Sequence, residues 1–518
     1  MKLRDLTLAL AGTLILGACT ERADSPTSPS MAAGSTAATT WVVAFKQHSG
    51  LPDDVDQIVA DAGGSIVTRL PEIGGIAVTS ADANFGAAMK RNQAVLAVDP
   101  ATEMHLPDPT TADVGATSAE NNGGNYSPAG PDPQPGTEPL YNQQWDKMRM
   151  NASATGSYAL QQGRKEVVVA ILDTGLDGFH PDIAPNLDVA RSRSFVPTEP
   201  TFQDGNGHGT WCGSAVAAPI NGIGVSGVAP KVTLVALKVL AASGSGAFIW
   251  LDQALIYAGQ NHFDIASMSL SGIFPKNEAH ADYRLLVRAV QFARSNGVLP
   301  IAALGNRNFD ISDGRFFGPF IVAPAEIAGV VGVSATGYRN DKAWYSSYGM
   351  GKTDVSAPGG STRNYTGVPG SGSPPPPYFG IGRVLGAWST TGNPTGFPDP
   401  NLGVEQCTGP GGTPPCFAYA WVQGTSMATP NAAGVAALII SQYGDFDGGG
   451  NPNKIHMSPT QVETYLQTSA NNQPCPEPRT VLAGPGINPP TVTCEGQVGY
   501  NSFFGKGIVD AVKAVTLH

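Results

Sequence analysis

The chain has 518 residues, of which 41% are hydrophobic and 14% are charged. This composition is too apolar for a disordered chain or a charge-rich coiled coil, and it can bury a large core. The net charge of −11 works against binding to nucleic-acid phosphates, so we expect no nucleic-acid partner. The 64 glycines and 43 prolines indicate many turns and long surface loops.

Residues 1–19 are typical of an export signal. Two basic residues precede an apolar stretch, 6–16, which is too short to span a bilayer. Residues 16–19, Leu-Gly-Ala-Cys, resemble the lipobox of bacterial lipoproteins, in which the cysteine is lipid-modified and the chain is cut before it. An ordinary secretory signal with an incidental Cys19 is the alternative. Either interpretation predicts a secreted or envelope-associated bacterial protein. A lipid on Cys19, if present, is the only membrane contact that we expect.

Export permits disulfides, and five cysteines remain beyond the signal. Local pairs of Cys407 with Cys416 and of Cys475 with Cys494 would staple Pro/Gly-rich loops, although the sequence does not fix the connectivity. Cys212 lies among small residues of a predicted helix, and we interpret it as the free thiol.

Composition divides the rest of the chain into four parts. Residues 20–40 are rich in Ser, Thr, Ala and Pro and predict a flexible tether. Residues 41–106 predict a small α+β domain, residues 107–139 a cleavable low-complexity linker, and residues 140–518 the main domain. The elements predicted in the small domain are strands at 41–45, 75–78 and 95–98 and a helix at 54–62.

The main domain alternates apolar runs with helical patterns, which predicts an α/β fold with a doubly wound parallel sheet. Such runs are typical of strands that are covered on both faces, and the active sites of these folds lie at the carboxyl ends of the strands. Residues 360–419 are rich in Pro and Gly, and we expect an inserted surface loop there. The predicted strands are 167–172, 232–240, 265–270, 298–304 and 330–333, and the predicted helices are 247–259, 281–295 and a stretch that begins at 426.

Four polar residues lie where these elements begin or end. Asp173 follows a buried strand, so its charge needs a partner. His208 opens a run of small residues that reads as a helix, and Asn306 follows another strand. Ser426 stands at a predicted helix start, where unpaired N–H groups favour an anion.

The order Asp, His, Ser fits nucleophilic hydrolysis. A serine hydroxyl is a weak nucleophile, so an imidazole must take its proton and a buried carboxylate must orient and stabilise that imidazole. Asn306 would donate to the oxyanion of the tetrahedral intermediate, together with the backbone N–H of Ser426.

The motifs at 173–175 (Asp-Thr-Gly), 208–210 (His-Gly-Thr) and 424–428 (Gly-Thr-Ser-Met-Ala) resemble the three signature blocks of the subtilisin-like serine peptidases, the subtilases. The resemblance covers about residues 140 to 515. Cys212, four residues after the histidine, resembles the proteinase K-like subgroup, and residues 41–106 resemble the inhibitor-type propeptide of the family.

The resemblance implies a secreted serine endopeptidase that forms an acyl-enzyme, made as a self-processing precursor whose propeptide inhibits it. It also implies a monomer that acts on protein or peptide substrates and requires no cofactor for chemistry. If Cys19 is lipidated, maturation would leave the anchor on the propeptide. Substrate would lie as an extended strand between two segments. These segments are Ser243, Gly244, Ser245 and Gly246, and Ser269, Leu270, Ser271 and Gly272.

Three positions depart from the family pattern. Ser271 stands where many members have Gly, and Leu304 where many have a smaller residue, so the primary pocket is expected to be altered. Asn431 replaces a histidine that is common after the serine block, which we interpret as a packing change.

An exported, non-catalytic binding or scaffold protein on the same fold is the main alternative, and the intact Asp, His, Asn and Ser set argues against it. An α/β-hydrolase esterase would carry Gly-x-Ser-x-Gly, and residues 424–428 lack the last glycine. We predict no metal in the catalytic site. Residues 445–448 begin like a calcium loop without its later ligands, so structural calcium rests on the family resemblance alone.

Overall fold

The computed structural model describes residues 38–107, 138–276, 280–362, 382–389, 403–409, 412–446, 455–482 and 491–517. The predictions for the export signal, for Cys19 and for most of the tether and linker fall outside these ranges. Within them, no helix combines the length and the hydrophobicity that a bilayer crossing requires.

The N-terminal part is a four-stranded antiparallel sheet with the strand order β2-β3-β1-β4. Val43 and Phe45 pack on its own helices, whereas Val42 and Ala44 join an apolar cluster of the main domain. Successive strand residues point to opposite faces, so one face of β1 packs on the helices of the N-terminal part and the other face packs on the main domain. Both parts belong to one compact unit, Thr39–His518. The elements are β1 (Thr39–Phe45), α1 (Val55–Asp61), β2 (Ser65–Leu70), β3 (Gly75–Ser80), α2 (Phe85–Met89), β4 (Val95–Pro100) and β5 (Glu103–His105).

The main domain is built on a seven-stranded parallel sheet with the order β15-β14-β12-β10-β6-β8-β7, which confirms the predicted α/β doubly wound fold. Its strands begin or end within about three residues of the predicted positions. The strands of this domain up to residue 358 are β6 (Val168–Asp173), β7 (Arg193–Ser194), β8 (Thr233–Lys238), β9 (Ser245–Ala247), β10 (Ile265–Met268), β11 (Gly272–Pro275), β12 (Leu299–Ala303), β13 (Phe320–Ala323), β14 (Val331–Thr336) and β15 (Val355–Pro358).

Helices cover both faces of this sheet. In β6, Val169 and Ile171 enter one apolar cluster, and Val168, Ala170 and Leu172 enter the other. This two-sided burial explains why the strand is apolar throughout rather than alternating. The helices are α3 (Trp145–Arg149), α4 (His208–Ala217), α5 (Phe248–Gln260), α6 (Ala281–Ser295), α7 (Gly314–Phe317), α8 (Thr425–Tyr443), α9 (Pro459–Ser469) and α10 (Ala511–Val515), with 3-10 turns at Pro71–Ile73, Tyr141–Gln143, Ser157–Ala159 and Ala184–Asn186.

The expectation of a surface loop at 360–419 needs correction where the structure describes it. Three antiparallel strands lie there, β16 (Val384–Trp388), β17 (Gly403–Gly409) and β18 (Thr413–Val422). All five residues of β16 are buried, and Ala387 donates its N–H to the Ser214 hydroxyl of α4 at 2.9 Å. Because the surrounding sequence is rich in Pro and Gly, the sequence analysis did not predict strand β16, which packs on the main domain.

The predicted cysteine pairs are both present. Cys407 on β17 lies opposite Cys416 on β18, and a disulfide bond joins them. The second disulfide bond joins Cys475 to Cys494 within the C-terminal region. Cys212 is buried and is the free cysteine of the described residues. The remaining strands are β19 (Asp445–Phe446), β20 (Ile455–His456), β21 (Thr480–Leu482), β22 (Thr491–Thr493), β23 (Gly496–Gln497) and β24 (Tyr500–Asn501).

Candidate active site

Asp173 and His208 meet at the carboxyl end of β6. The His208 Nδ1 lies 2.8 Å from the Asp173 Oδ1, and that oxygen also accepts the N–H of Thr174 at 2.7 Å. Burial lowers the pKa of His208, but the Asp173 carboxylate raises it, and the net pKa lies well above 6.5. Asp173 therefore fixes the ring so that Nε2 is left to accept a proton.

A buried carboxylate that the sequence analysis missed ties the strand end to the helix that carries the histidine. Asp204 accepts the Thr174 hydroxyl at 2.9 Å and the N–H groups of Gly207 and Thr210 at 2.9 Å each. Gly207 has φ +112°, and a Cβ there would lie 2.2 Å from the ring of Trp388. Asp204 and Gly207 can be read from the sequence next to His208. Their partners Thr174 and Trp388 are far away along the chain, so these contacts could not be predicted.

Cys212 lies one helical turn after His208, below the imidazole. Its Sγ is 3.9 Å from the His208 Nδ1 and 3.6 Å from the backbone oxygen of Ser426. Burial raises the pKa of the Cys212 thiol, so the group stays protonated and packs as a small apolar side chain. Through these contacts, helix α4, which carries His208, packs against the first turn of α8.

Asn306 is oriented by its side-chain oxygen. That oxygen accepts the N–H of Thr425 at 2.9 Å and the Thr425 hydroxyl at 2.8 Å. The Thr425 hydroxyl also accepts the N–H of Gly305 at 3.1 Å. With the oxygen engaged, the Asn306 Nδ2 points into the cleft, where it donates to the carbonyl oxygen of Pro107 at 3.4 Å.

Ser426 is the second residue of α8, a helix of 19 residues. Its N–H belongs to the first turn, where helix geometry supplies no internal acceptor. Its hydroxyl donates to the carbonyl oxygen of Ser269 at 3.3 Å, and its own carbonyl accepts the Ser269 hydroxyl at 2.7 Å. The structure thus brings together the elements that carry Asp173, His208, Asn306 and Ser426.

The cleft beside these residues holds a segment of the same chain, residues 103–107. Strand β5 pairs antiparallel with β9, and the N–H and C=O of His105 pair with the C=O and N–H of Ser271 at 3.0 and 3.1 Å. Leu106 donates to the carbonyl of Gly244 at 2.9 Å. Met104 is fully buried in the same apolar cluster as Leu240 and Phe248. An extended peptide is therefore held from both sides up to Pro107.

Most of the residues predicted to border substrate touch this segment. Gly246 lies opposite Met104 in the ladder, and Ser245 Oγ is 3.2 Å from the His105 ring. A Cβ on Gly272 would lie 3.3 Å from the carbonyl of Glu103. Leu270 is buried in the underlying cluster. Ser243 instead stabilises the turn by accepting the N–H of Ser245.

Asn431 belongs to a buried polar network rather than to simple apolar packing. Its Oδ1 accepts the Lys147 ammonium at 2.7 Å, and its Nδ2 donates to the Pro358 carbonyl at 2.9 Å and to the Asp146 carboxylate at 3.3 Å. Lys147 also pairs with Asp146 at 2.7 Å, and neither side chain is exposed. The side-chain amide both donates and accepts, so it can join the two charges.

The class of protein follows from these features. A doubly wound parallel sheet with an Asp–His pair at one strand end and a serine at a helix start is the architecture of a subtilisin-like protein. The family model described as Peptidase S8, subtilase family, matches residues 164–507. This chain belongs to the subtilase family.

Individual relatives agree with the family match. M-protease of Shouchella clausii (strain KSM-K16) is 37% identical over 326 residues, which are 63% of this chain and 64% of that protein. Subtilisin Savinase of Lederbergia lenta is 34% identical over 328 residues, which are 63% of this chain and 91% of that protein. The match thus spans slightly less than two thirds of M-protease. Assignment to the proteinase K-like subgroup stays a prediction.

Solved structures share the fold. The epidermin leader peptide processing serine protease of Staphylococcus aureus has a TM-score of 0.63 at 20% identity and covers 93% of this chain and 98% of its own. Fervidolysin of Fervidobacterium pennivorans has a TM-score of 0.59 at 19% identity, with 94% of this chain and 62% of its own covered. At these identities the likeness concerns the fold alone.

Proposed function

We propose that this protein is an exported serine endopeptidase, made as a precursor that cuts itself and is then inhibited by its N-terminal domain. The observation that carries the proposal is the docking of residues 103–107 as an extended strand beside the Asp173–His208 pair, with the Pro107 carbonyl at the Asn306 amide. A scaffold protein would have no need of this constellation around a peptide carbonyl.

In the proposed reaction, the Ser426 hydroxyl turns toward His208, which takes the proton at Nε2 while the oxygen attacks the substrate carbonyl. Asp173 stabilises the imidazolium that forms. The Asn306 amide and the Ser426 N–H stabilise the oxyanion, and His208 then returns the proton to the leaving amine. Water hydrolyses the acyl-enzyme by the same steps. No cofactor is needed for this chemistry.

The domain organisation also enters the proposal. The part from residue 41 to 106 acts as propeptide, and the linker at 107–139 separates it from the peptidase at 140–518. Export rests on the predicted signal at 1–19 and is consistent with the two disulfides. A lipid on Cys19 would then stay with the propeptide after cutting.

Structural calcium is a separate part of the proposal, away from the catalytic residues. Asp182 is fully buried, and its Oδ1 has no hydrogen-bond partner among the described residues. Burial raises the pKa of Asp182 to about 8, and the Glu138 carboxylate adds to the shift. Two buried carboxylates fit a calcium ion, which prefers oxygen ligands. A chelator should then lower the melting temperature of the parent but not of Asp182→Asn, and an unchanged parent would refute a calcium ion here.

The activity is tested with Ser426→Ala beside the parent chain. We expect the parent to shorten to a mature form and to digest casein, and the variant to stay full length and inert. Equal processing and hydrolysis by both would refute the role of Ser426. A folded parent that is inert and refuses a fluorophosphonate would favour the non-catalytic binding protein.

A further inference from the structure

Two adjacent rows of residues run along helix α4. The row with His208 and Cys212 faces the catalytic residues. The second row consists of Gly207, which directly precedes the helix, and of Trp211 and Ser214, which follow at helical spacing. Strand β16 and its neighbour β18 pack against this second row, so the inserted strands support the helix that carries the histidine.

The contacts between these strands and the second row are close. A Cβ on Gly386 would lie 2.6 Å from the Trp211 Nε1, so the Trp211 ring lies directly on the strand backbone. The Trp211 Nε1 donates to the Ala420 carbonyl at 3.2 Å, and Ala387 donates its N–H to the Ser214 hydroxyl at 2.9 Å. Trp211 and Ser214 are fully buried. These contacts fix the strands against the helix.

The end of β16 holds the turn from which α4 begins. The Trp388 ring lies on the Cα of Gly207, where an added Cβ would be 2.2 Å from the ring. The neighbouring Ser389 donates its hydroxyl to the Asp204 carbonyl at 2.8 Å, and the Asp204 carboxylate accepts the N–H of Gly207 at 2.9 Å. Both Trp388 and Ser389 are buried. This turn is thus held at both ends immediately before His208.

We propose that Trp388 and Ser389 are positioning residues for His208, because they fix the turn that places its imidazole. This inference rests on the proposed function. The Nε2 of the general base must lie within hydrogen-bonding distance of the serine oxygen when the reaction begins. An error of about 1 Å in such a geometry can lower the rate by about 10²-fold. The two residues act on the reaction through the backbone of the turn.

The loss of these contacts should affect the reaction more than substrate binding. The two segments that hold the docked peptide, 243–246 and 269–272, lie outside α4 and β16. Trp388→Ala should therefore lower kcat by about tenfold to 100-fold and change KM by less than about threefold. The rate of fluorophosphonate labelling of Ser426 should fall by the same factor as kcat, since this reaction uses the same base.

Two further variants separate positioning from a general loss of packing. Trp388→Phe keeps an aromatic ring on Gly207, and its kcat should stay within about threefold of the parent value. Ser389→Ala removes one hydrogen bond, so its kcat should fall by about threefold to tenfold while KM stays nearly unchanged.

Leu385→Ala is the matched control on the same strand. The Leu385 side chain points to the other face of β16, into a separate cluster with Val225 and Tyr419. Its truncation should lower the melting temperature, as a cavity in the core does, but leave kcat and KM unchanged. The constants are measured on a small peptide, at a temperature at which the processed variants are folded.

The outcomes separate the two levels of the argument. An unchanged kcat in Trp388→Ala or in Ser389→Ala would overturn the inference, and so would an equal loss in Leu385→Ala or a Trp388→Phe variant as slow as Trp388→Ala. If Trp388→Ala does not fold, the comparison of Ser389→Ala with Leu385→Ala decides. The peptidase assignment stands in all these cases, because the parent is active. A parent that is inert toward the peptide and casein and refuses the fluorophosphonate would overturn the proposed function, and this inference with it.

Discussion

His208 lies between a carboxylate and a thiol, and this setting decides its acid–base behaviour. Burial alone would lower the pKa of the imidazole, but the 2.8 Å contact with Asp173 raises it to a net value well above 6.5. The contact with Asp173 therefore stabilises the imidazolium, as the proposed role of His208 as a general base requires.

The first prediction concerns pH. The base must be neutral to accept a proton, so activity is lost as pH falls through the pKa of His208. Because Asp173 raises that pKa, the acid limb of kcat/KM should lie above pH 6.5. The measurement is a pH profile of the processed enzyme on a small peptide. An acid limb below pH 6 would contradict the electrostatic assignment.

The second prediction concerns Asn306. Replacement by alanine removes the amide that donates to the Pro107 carbonyl, and if it acts as the proposed oxyanion donor, kcat should fall by about 10²–10³, the usual loss for one such donor in subtilisin-type enzymes. KM should change little, and an unchanged melting temperature would show that the Thr425 contacts are not essential for folding. A loss smaller than threefold would mean that the amide serves only to hold α8.

At the scale of elements, α8 depends on a polar contact in the core. Asn431 on this helix holds the Lys147 ammonium of α3, and both side chains are buried. A buried charge that loses one partner is costly, because the remaining groups cannot compensate its desolvation.

The third prediction follows from that network. Asn431→Leu has nearly the same size but cannot accept from Lys147, so the free energy of unfolding should fall by about 2–4 kcal/mol. Adding Asp146→Leu and Lys147→Met together to this variant should restore part of the loss, since both buried charges are then gone. Chemical denaturation measures both effects, and an unchanged stability of the single variant would contradict this account.

Elements with strong local signals could be predicted, and contacts between distant segments could not. The apolar runs of the parallel sheet identified its strands because both faces are buried, as the two clusters around β6 show. Strand β16 was missed because five apolar residues in a Pro/Gly-rich stretch give no periodic signal. Asn431 and Lys147 are 284 positions apart, and nothing local links them.

At the scale of the whole molecule, hydrogen bonds between side chains and the backbone help to hold the N-terminal domain on the main domain. The Arg288 guanidinium on α6 donates to the carbonyls of Ile73 at 2.9 Å and of Phe45 at 3.0 Å. Asp99 accepts the N–H of Ala281 at the start of the same helix at 2.8 Å. The sequence predicted a propeptide by resemblance, but these anchors required the structure.

The fourth prediction tests this interface. Arg288→Met keeps most of the aliphatic packing and removes the donors, so the N-terminal domain should inhibit the processed enzyme about 10-fold to 100-fold less tightly. Arg294→Met is the matched control on the same helix, because Arg294 bonds to Gly329 and Glu463 instead. Equal inhibition constants for parent and Arg288→Met would show that the arginine does not anchor the domain.

The most direct test of the central claim is the reaction of the processed enzyme with a fluorophosphonate, followed by mass spectrometry of its peptides. We predict one label per molecule, on Ser426. Labelling should be at least about 100-fold slower in His208→Ala, which is cut in its linker by an added protease and freed of its N-terminal domain because it cannot process itself, since its serine lacks the base. A label on another residue, or an unchanged rate without the histidine, would contradict the mechanism.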